Sequence, residues 1–457
     1  MIMINNYFNF KTIFFILILN IINISYAKVV HIRVTEAKDI GIKLMVLPFN
    51  NQHKSSRDFN EISNLVTNDL NYSGQFKAKQ LNLHDLDPDK IPTNVKDIDF
   101  KFWRELNVEY LLITKLYPAH NAASLVINLQ LIDLYKPLDP IILNVEVEKH
   151  PNEEPRKLAH KISNIIFEKL IGIKGFFNTK IAYIRAEHLG EKNPIFSLNI
   201  ADFDGFNERK LLQTSYPLMS PNWSRDGKKI CFVSFRNNRA NISVADLDTR
   251  RINIITSYPG INGAPAWSPD GNKLALVLSK DGSPKIYILD LIQDTLQKIT
   301  HGTSIDTEPF WHNNGTEIFF TSNRGGKPQI YKISLINQEI QRITFKGEYN
   351  ATPSLTPDNR YLVMLHCDQN CSKNDPSYNV AVLSLDTGKI KILSKMGMED
   401  SPVISPNGVM VLYSTERNKN DTNRVLASIS IDGHFSSYLP IPGSGSIKNP
   451  AWSPFLD

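Results

Sequence analysis

Three cysteines in 457 residues, Cys231, Cys367 and Cys371, are too few for a disulfide-stapled scaffold. Blocks of lysine and arginine are also lacking. The net charge is only +5 and the basic residues are scattered, so nothing marks a nucleic-acid binder. Beyond the N-terminus no apolar run approaches the roughly 20 residues that a membrane-spanning helix needs. There is no Gly-x-Ser-x-Gly elbow, since Gly443-Ser-Gly-Ser446 has the wrong spacing. The 11 histidines are dispersed, without a pair at metal-ligand spacing. A catalytic residue, a metal and a cofactor are therefore not expected, and the chain reads as a non-enzyme.

What is present begins with a leader. Lys11 precedes the apolar stretch Ile13–Leu19, and Ser25-Tyr26-Ala27 follows it. A basic start, a short apolar core and a small-x-small end describe a secretory signal over residues 1–27. The competing reading, a retained membrane anchor, wants a longer apolar core. The mature chain then starts at Lys28 as an exported protein with no membrane span.

Residues 28–172 read as a small α/β domain. Strands are expected at 42–47, 110–116, 124–133 and 141–147. Helices are expected at 59–70, 99–106 and 153–170, where apolar residues recur at helical spacing. After Gly175 helical periodicity vanishes. Short β-rich runs alternate instead with Gly, Asp, Asn and Pro turns.

That second half repeats. The anchors Trp223, Trp267, Trp311, Leu355, Ile404 and Trp452 are 44, 44, 44, 49 and 48 residues apart. Each has a proline two residues before it: Pro221, Pro265, Pro309, Pro353, Pro402 and Pro450. The signature continues into a turn, as in Ser268-Pro-Asp-Gly271. There proline presets φ, and glycine supplies the left-handed conformation that starts the next strand. In one copy Asn359 replaces that glycine, a residue that tolerates left-handed φ. Three more strand-like runs follow each turn, giving four strands per repeat. Four-stranded units at this period are β-propeller blades.

The expected fold is thus a small N-terminal α/β domain, 28–172, followed by a six-bladed β-propeller, 176–457. The run Ile181–Arg185 lacks a proline–tryptophan strand ahead of it, and "NPAWSPFLD" lacks a strand behind it. Joining the two completes the sixth blade, so the C-terminal strand closes the ring and leaves no open edge.

Other motifs read as structure. Asp202-Phe-Asp-Gly205 is read as an acidic hairpin turn rather than a calcium loop, which needs more oxygen ligands. Cys367 and Cys371 lie in a lengthened loop of an exported chain, a setting that favours a local disulfide over two free thiols. Cys231 lies within a strand and reads as a buried small hydrophobe. The loops entering the innermost strands converge on one axial mouth, the expected interaction surface.

On "YPLMSPNWSRDGKKICFV", "NGAPAWSPDGNKLAL", "DTEPFWHNNGTEIFFTSNRGGKPQIYKI", "SPNGVMVLYS" and "NPAWSPFLD", together with the leader and the α/β domain, the chain resembles the TolB family of the Gram-negative Tol–Pal system. The resemblance covers essentially the whole mature chain. It implies a monomeric periplasmic adaptor that helps maintain outer-membrane integrity and constriction during division. Its mouth would bind a Pal-like lipoprotein through Met219, Ser220, Asn262, Gly263, Ala264, Thr307 and Glu308. Its flexible N-terminal segment, 28–39, would bind a TolA-like inner-membrane protein, starting with Lys28, Val29, Val30, His31, Ile32 and Arg33. Two other readings are a glycan- or peptidoglycan-binding propeller and the propeller half of a peptidase. The peptidase would need a hydrolase domain downstream of Asp457.

Overall fold

The computed structural model describes residues 41–49, 57–81, 90–119, 124–369, 371, 377–394, 397–417 and 423–456. The proposed leader and the 28–39 segment lie outside the described residues.

The chain enters strand β1 (Ile42–Val46). Helix α1 (Arg57–Tyr72) follows because Phe59, Ile62, Val66 and Leu70 fall on one face, and all four are buried. Gly74 ends it at φ 71°. A side chain there would meet Phe435 of the propeller, whose Cβ lies 2.7 Å from the position of a Gly74 Cβ. Strand β2 (Phe76–Gln80) lies parallel to β1. Helix α2 (Phe100–Glu105) is capped by Asp99, whose side chain accepts from the Phe102 amide. Strands β3 (Tyr110–Pro118), β4 (Leu125–Asp133) and β5 (Ile141–Lys149) form an antiparallel meander. Helix α3 (Pro155–Ile171) starts on proline and stops at Gly172, φ 84°. The sheet order is β2-β1-β3-β4-β5.

Six four-stranded sheets follow. Blade one holds Lys180–Glu187, Ile195–Asp202 and Arg209–Thr214, with the C-terminal strand Ser446–Trp452 innermost. The innermost strands of blades two to six are Leu218–Trp223, Asn262–Trp267, Asp306–Trp311, Tyr349–Leu355 and Asp400–Ile404. The closing strand runs antiparallel to the first propeller strand, with Ser446 opposite Ala186 and Trp452 opposite Ile181. The ring is joined where the sequence places the join.

Local chemistry holds each blade as its signature requires. In the Ser268–Gly271 turn the Gly271 amide donates to Ser268 O (3.0 Å). The Ser268 hydroxyl oxygen accepts from the Lys273 amide (2.9 Å) and fastens the turn to the next strand. Gly227, Gly271, Gly315 and Gly408 take φ of 68–80°, and Asn359 takes 59°. All six anchors are buried. Trp311 Nε1 donates to Ala266 O one blade back (3.1 Å), and Trp223 Nε1 donates to Ala451 O (3.3 Å). Trp223 and Trp311 therefore tie neighbouring blades together as well as filling the space between them.

The two domains share one core. Phe176 and Phe177, at the start of the propeller, are both fully buried. They pack against Phe167 of α3, Phe203 of blade one and, through Phe176, Trp452 of the closing strand. Polar contacts follow the same seam. The acidic hairpin at Asp202–Gly205 forms as a turn. Arg156 on α3 pairs there with both Asp202 and Asp204. The turn is also half of an interdomain latch.

Candidate functional site at the propeller mouth

Every innermost strand carries the same irregularity at its mouth end. The residue before the signature proline has left-handed φ in all six blades: Ser220 (49°), Ala264 (43°), Glu308 (54°), Thr352 (52°), Ser401 (51°) and Asn449 (49°). At that point each strand slips register against its neighbour, for example between Thr307 and Phe310. The two bulged residues drop out of the ladder, so the proline there has no ladder hydrogen bond to donate. Left-handed φ at a non-glycine residue costs about 1–3 kcal/mol and persists where the surroundings enforce it. Six copies form a ring of half-buried side chains around the axis.

Members of this ring contact one another across blades. Glu308 Oε2 accepts from the Thr352 amide of the next blade (2.9 Å) and from the Thr321 hydroxyl (2.7 Å). Burial pushes the Glu308 carboxyl up, the two hydrogen bonds oppose that, and Asp400, two blades on, adds to the rise. Asn449 Nδ2 donates to Ser401 Oγ (3.0 Å). The rim above the ring is apolar in places, with Met219, Ile261 and Ile305 each more than two-fifths exposed.

Residues just outside the ring pin the mouth loops. Asn262 is 1% exposed. Its side chain donates to Tyr258 O and accepts from the Tyr258 amide (2.7 and 3.0 Å), so it shapes the loop from within. Asp306 and Asn350 occupy the equivalent place in the next two blades and are also buried. Asp306 takes Lys285 (3.2 Å) from blade three, while Asn350 donates to Gln329 Oε1 (2.9 Å) of blade four. Both pairs stand 21 residues apart in sequence. A charged tie and an amide tie thus do the same job at adjacent blade junctions.

The structure brings Met219, Ser220, Gly263, Ala264, Thr307 and Glu308 to this mouth, each residue at least partly exposed, while the buried Asn262 shapes the loop beside them. Sequence reasoning singled out three of the six ring positions. The same signal, the residue before each repeat proline, also marks Thr352, Ser401 and Asn449. Cys367 and Cys371 are joined as a disulfide at this end of blade five, and Cys231 is buried. The far end of the channel forms a cavity of about 480 Å³ between the anchor residues and the C-terminal tail at Phe455. Among the described residues, Asp69, His160 and Asp204 offer donor atoms within 4.8 Å of one another. Arg156 already engages Asp204, and that group belongs to the interdomain seam.

The fold and the mouth define a class: a small α/β domain fused to a closed six-bladed propeller with an ordered ring of bulges around its axis. Residues 30–137 match the TolB amino-terminal domain, and residues 167–456 match the TolB β-propeller domain. The Tol-Pal system protein TolB of Hydrogenovibrio crunogenus is 46% identical over 428 residues, covering 93% of this chain and 94% of the relative. That of Pseudomonas aeruginosa is 45% identical over 424 residues, with 93% and 94% covered. The crystal structure of TolB from Acinetobacter baumannii superposes with a TM-score of 0.80 at 33% identity, covering 91% of this chain and 98% of that one. The chain belongs to the TolB family, a component of the Tol–Pal system.

Proposed function

We propose that this protein is a periplasmic adaptor. Its propeller mouth binds a Pal-like lipoprotein, and its 28–39 segment binds a TolA-like inner-membrane protein. In that role it supports outer-membrane integrity and envelope constriction at division. The observation that carries the mouth assignment is the six-fold ring of strained bulges. Strain repeated at one level of every blade holds short side chains and backbone in fixed positions around an axis, as a preorganised docking surface requires. Exposed Met219, Ile261 and Ile305 supply apolar area on the rims of blades two, three and four, and Thr307 and Glu308 add polar groups on blade four, the mixture that interface centres use.

Two tests address the two ends. Thr307→Ala with Glu308→Ala should weaken capture of the Pal-like lipoprotein from envelope extract by about tenfold or more, the scale of a hot-spot loss. The circular dichroism of the propeller should be retained. Unchanged capture would move the site elsewhere, and recovery of glycan alone would replace the adaptor reading. Deleting residues 28–39 should abolish capture of the TolA-like protein while leaving the melting curve in place. Retained capture would release the N-terminal segment from this role.

A further inference from the structure

The disulfide of blade five sits between two mouth loops. Cys367 lies opposite Tyr349 in the ladder, and its carbonyl accepts from the Glu348 amide (2.9 Å). On the other side of the S–S bond, the Cys371 amide donates to Glu348 Oε2 (3.2 Å). The other carboxylate oxygen of Glu348 meets Lys327 of blade four (2.6 Å). The Cys371 carbonyl accepts from the Tyr378 hydroxyl (3.0 Å). Tyr378 packs edge-on against Tyr349, with ring centroids 5.0 Å apart. Its amide donates to Gly397 O (2.8 Å), at the head of the blade-six mouth loop. Gly347 lets the blade-five loop approach this strand, because a side chain there would press on His366 and Cys367 O.

We propose that the Cys367–Cys371 bond is a positioning device for the mouth. It holds Cys371 where its amide fixes Glu348 and its carbonyl fixes Tyr378, and through them it sets the blade-five and blade-six loops beside Glu308 and Thr352. This rests on the reading of the mouth as the lipoprotein site. The bond makes that site dependent on an oxidising compartment. Reduction by a dithiol transfers two electrons and two protons to the sulfurs, breaks the S–S bond to give two thiols, and leaves the reagent as its cyclic disulfide. Cys371 is then free to leave Glu348 and Tyr378, and the rim loses its fixed form.

The test is the affinity of the full mature chain for the purified soluble domain of the Pal-like lipoprotein, measured by calorimetry. The oxidised chain is compared with Cys367→Ser/Cys371→Ser and with Tyr378→Phe. The double serine variant should bind about tenfold more weakly. Tyr378→Phe, which keeps the S–S bond, should lose about threefold with an unchanged melting temperature, a readout that a merely stabilising disulfide would not predict. Combining the changes should add nothing beyond the serine pair. If the serine variant fails to fold, Tyr378→Phe decides: a threefold loss supports the proposal and unchanged affinity overturns it. Equal binding by all variants overturns the positioning role while leaving the mouth as the site. Failure of the oxidised wild-type chain to bind overturns the site itself.

Discussion

A chain that stops at Lys448 will fail to close its propeller and will melt far below the intact protein. The nine residues removed include Trp452, which packs against Phe176 and donates through Nε1 to Thr179 Oγ1 (2.8 Å). They also include Ser453, whose amide and hydroxyl engage Lys180 from both sides. Ala451 is lost with them, and its carbonyl is the acceptor for Trp223 of blade two. Trp452→Ala alone should cost about 3–5 kcal/mol as a large-to-small core change. Truncation adds the ladder bonds at Ile181 and Ala182 and leaves a strand edge unpaired. Such an edge invites pairing between chains, so the truncated protein should also form soluble oligomers. Urea unfolding and size-exclusion chromatography check both effects. A truncated monomer with the intact midpoint would overturn closure by the C-terminal strand.

That closure is legible in the sequence because it is written in local chemistry. Proline, an apolar anchor and a left-handed turn residue recur at blade spacing, and each position has its own physical reason. Asn359 substitutes for glycine where φ is 59°, a deviation the rule anticipates. The α/β domain was legible where helical faces are continuous, as in α1 and α3. Strand β2 was not anticipated. In Phe76-Lys-Ala-Lys-Gln80 only Phe76 and Ala78 are buried; the alternation is short and Lys and Ala are weak strand formers, so the strand depends on its parallel neighbour β1.

Partnership across elements distant in sequence is what sequence patterning cannot display. Phe176 and Phe177 stand ahead of the first propeller strand with no periodicity to mark them, and the partners that bury them, Phe167 of α3 and Trp452, lie far away in sequence. Asp202 and Asp204 satisfy the grammar of a hairpin turn, which hides their second use in holding Arg156. Asn262 was named among the mouth residues, and only its hydrogen bonds to Tyr258 reveal a supporting position. The ring of positive φ was implicit in the repeat, yet its strain becomes visible only in backbone geometry.

Asp306→Asn is expected to be among the most destabilising single polar substitutions in the propeller. Asp306 is fully buried and serves two cations, Lys285 of blade three (3.2 Å) and Arg324 of its own blade (2.9 Å). It also accepts from the Ser322 hydroxyl (2.6 Å). Lys285 is itself 1% exposed and its ammonium also donates to the Ser304 carbonyl and hydroxyl, so removing the carboxylate leaves a buried charge with only uncharged partners, a loss of about 3–5 kcal/mol. The reverse substitution, Lys285→Met, should cost less than about 2 kcal/mol, because Asp306 keeps Arg324 and Ser322 while an apolar chain replaces the desolvated charge. The pH dependence has a definite sign. Burial opposes charge on Asp306, but the hydrogen bonds from Ser322 and Arg324 prevail and hold its carboxyl below the ordinary range. A lowered folded-state pKa means stabilisation that is fully present above about pH 4, the unfolded carboxylate range, and lost as pH falls through the folded value. The gap in urea midpoint between wild type and Asp306→Asn should therefore be wide at pH 7 and narrow as the medium becomes more acid than about pH 4. Equal losses from the aspartate and lysine substitutions would show that the junction is held by shape. The predicted asymmetry would show that one carboxylate carries the seam between blades three and four, where the next seam uses Gln329 and Asn350 for the same purpose.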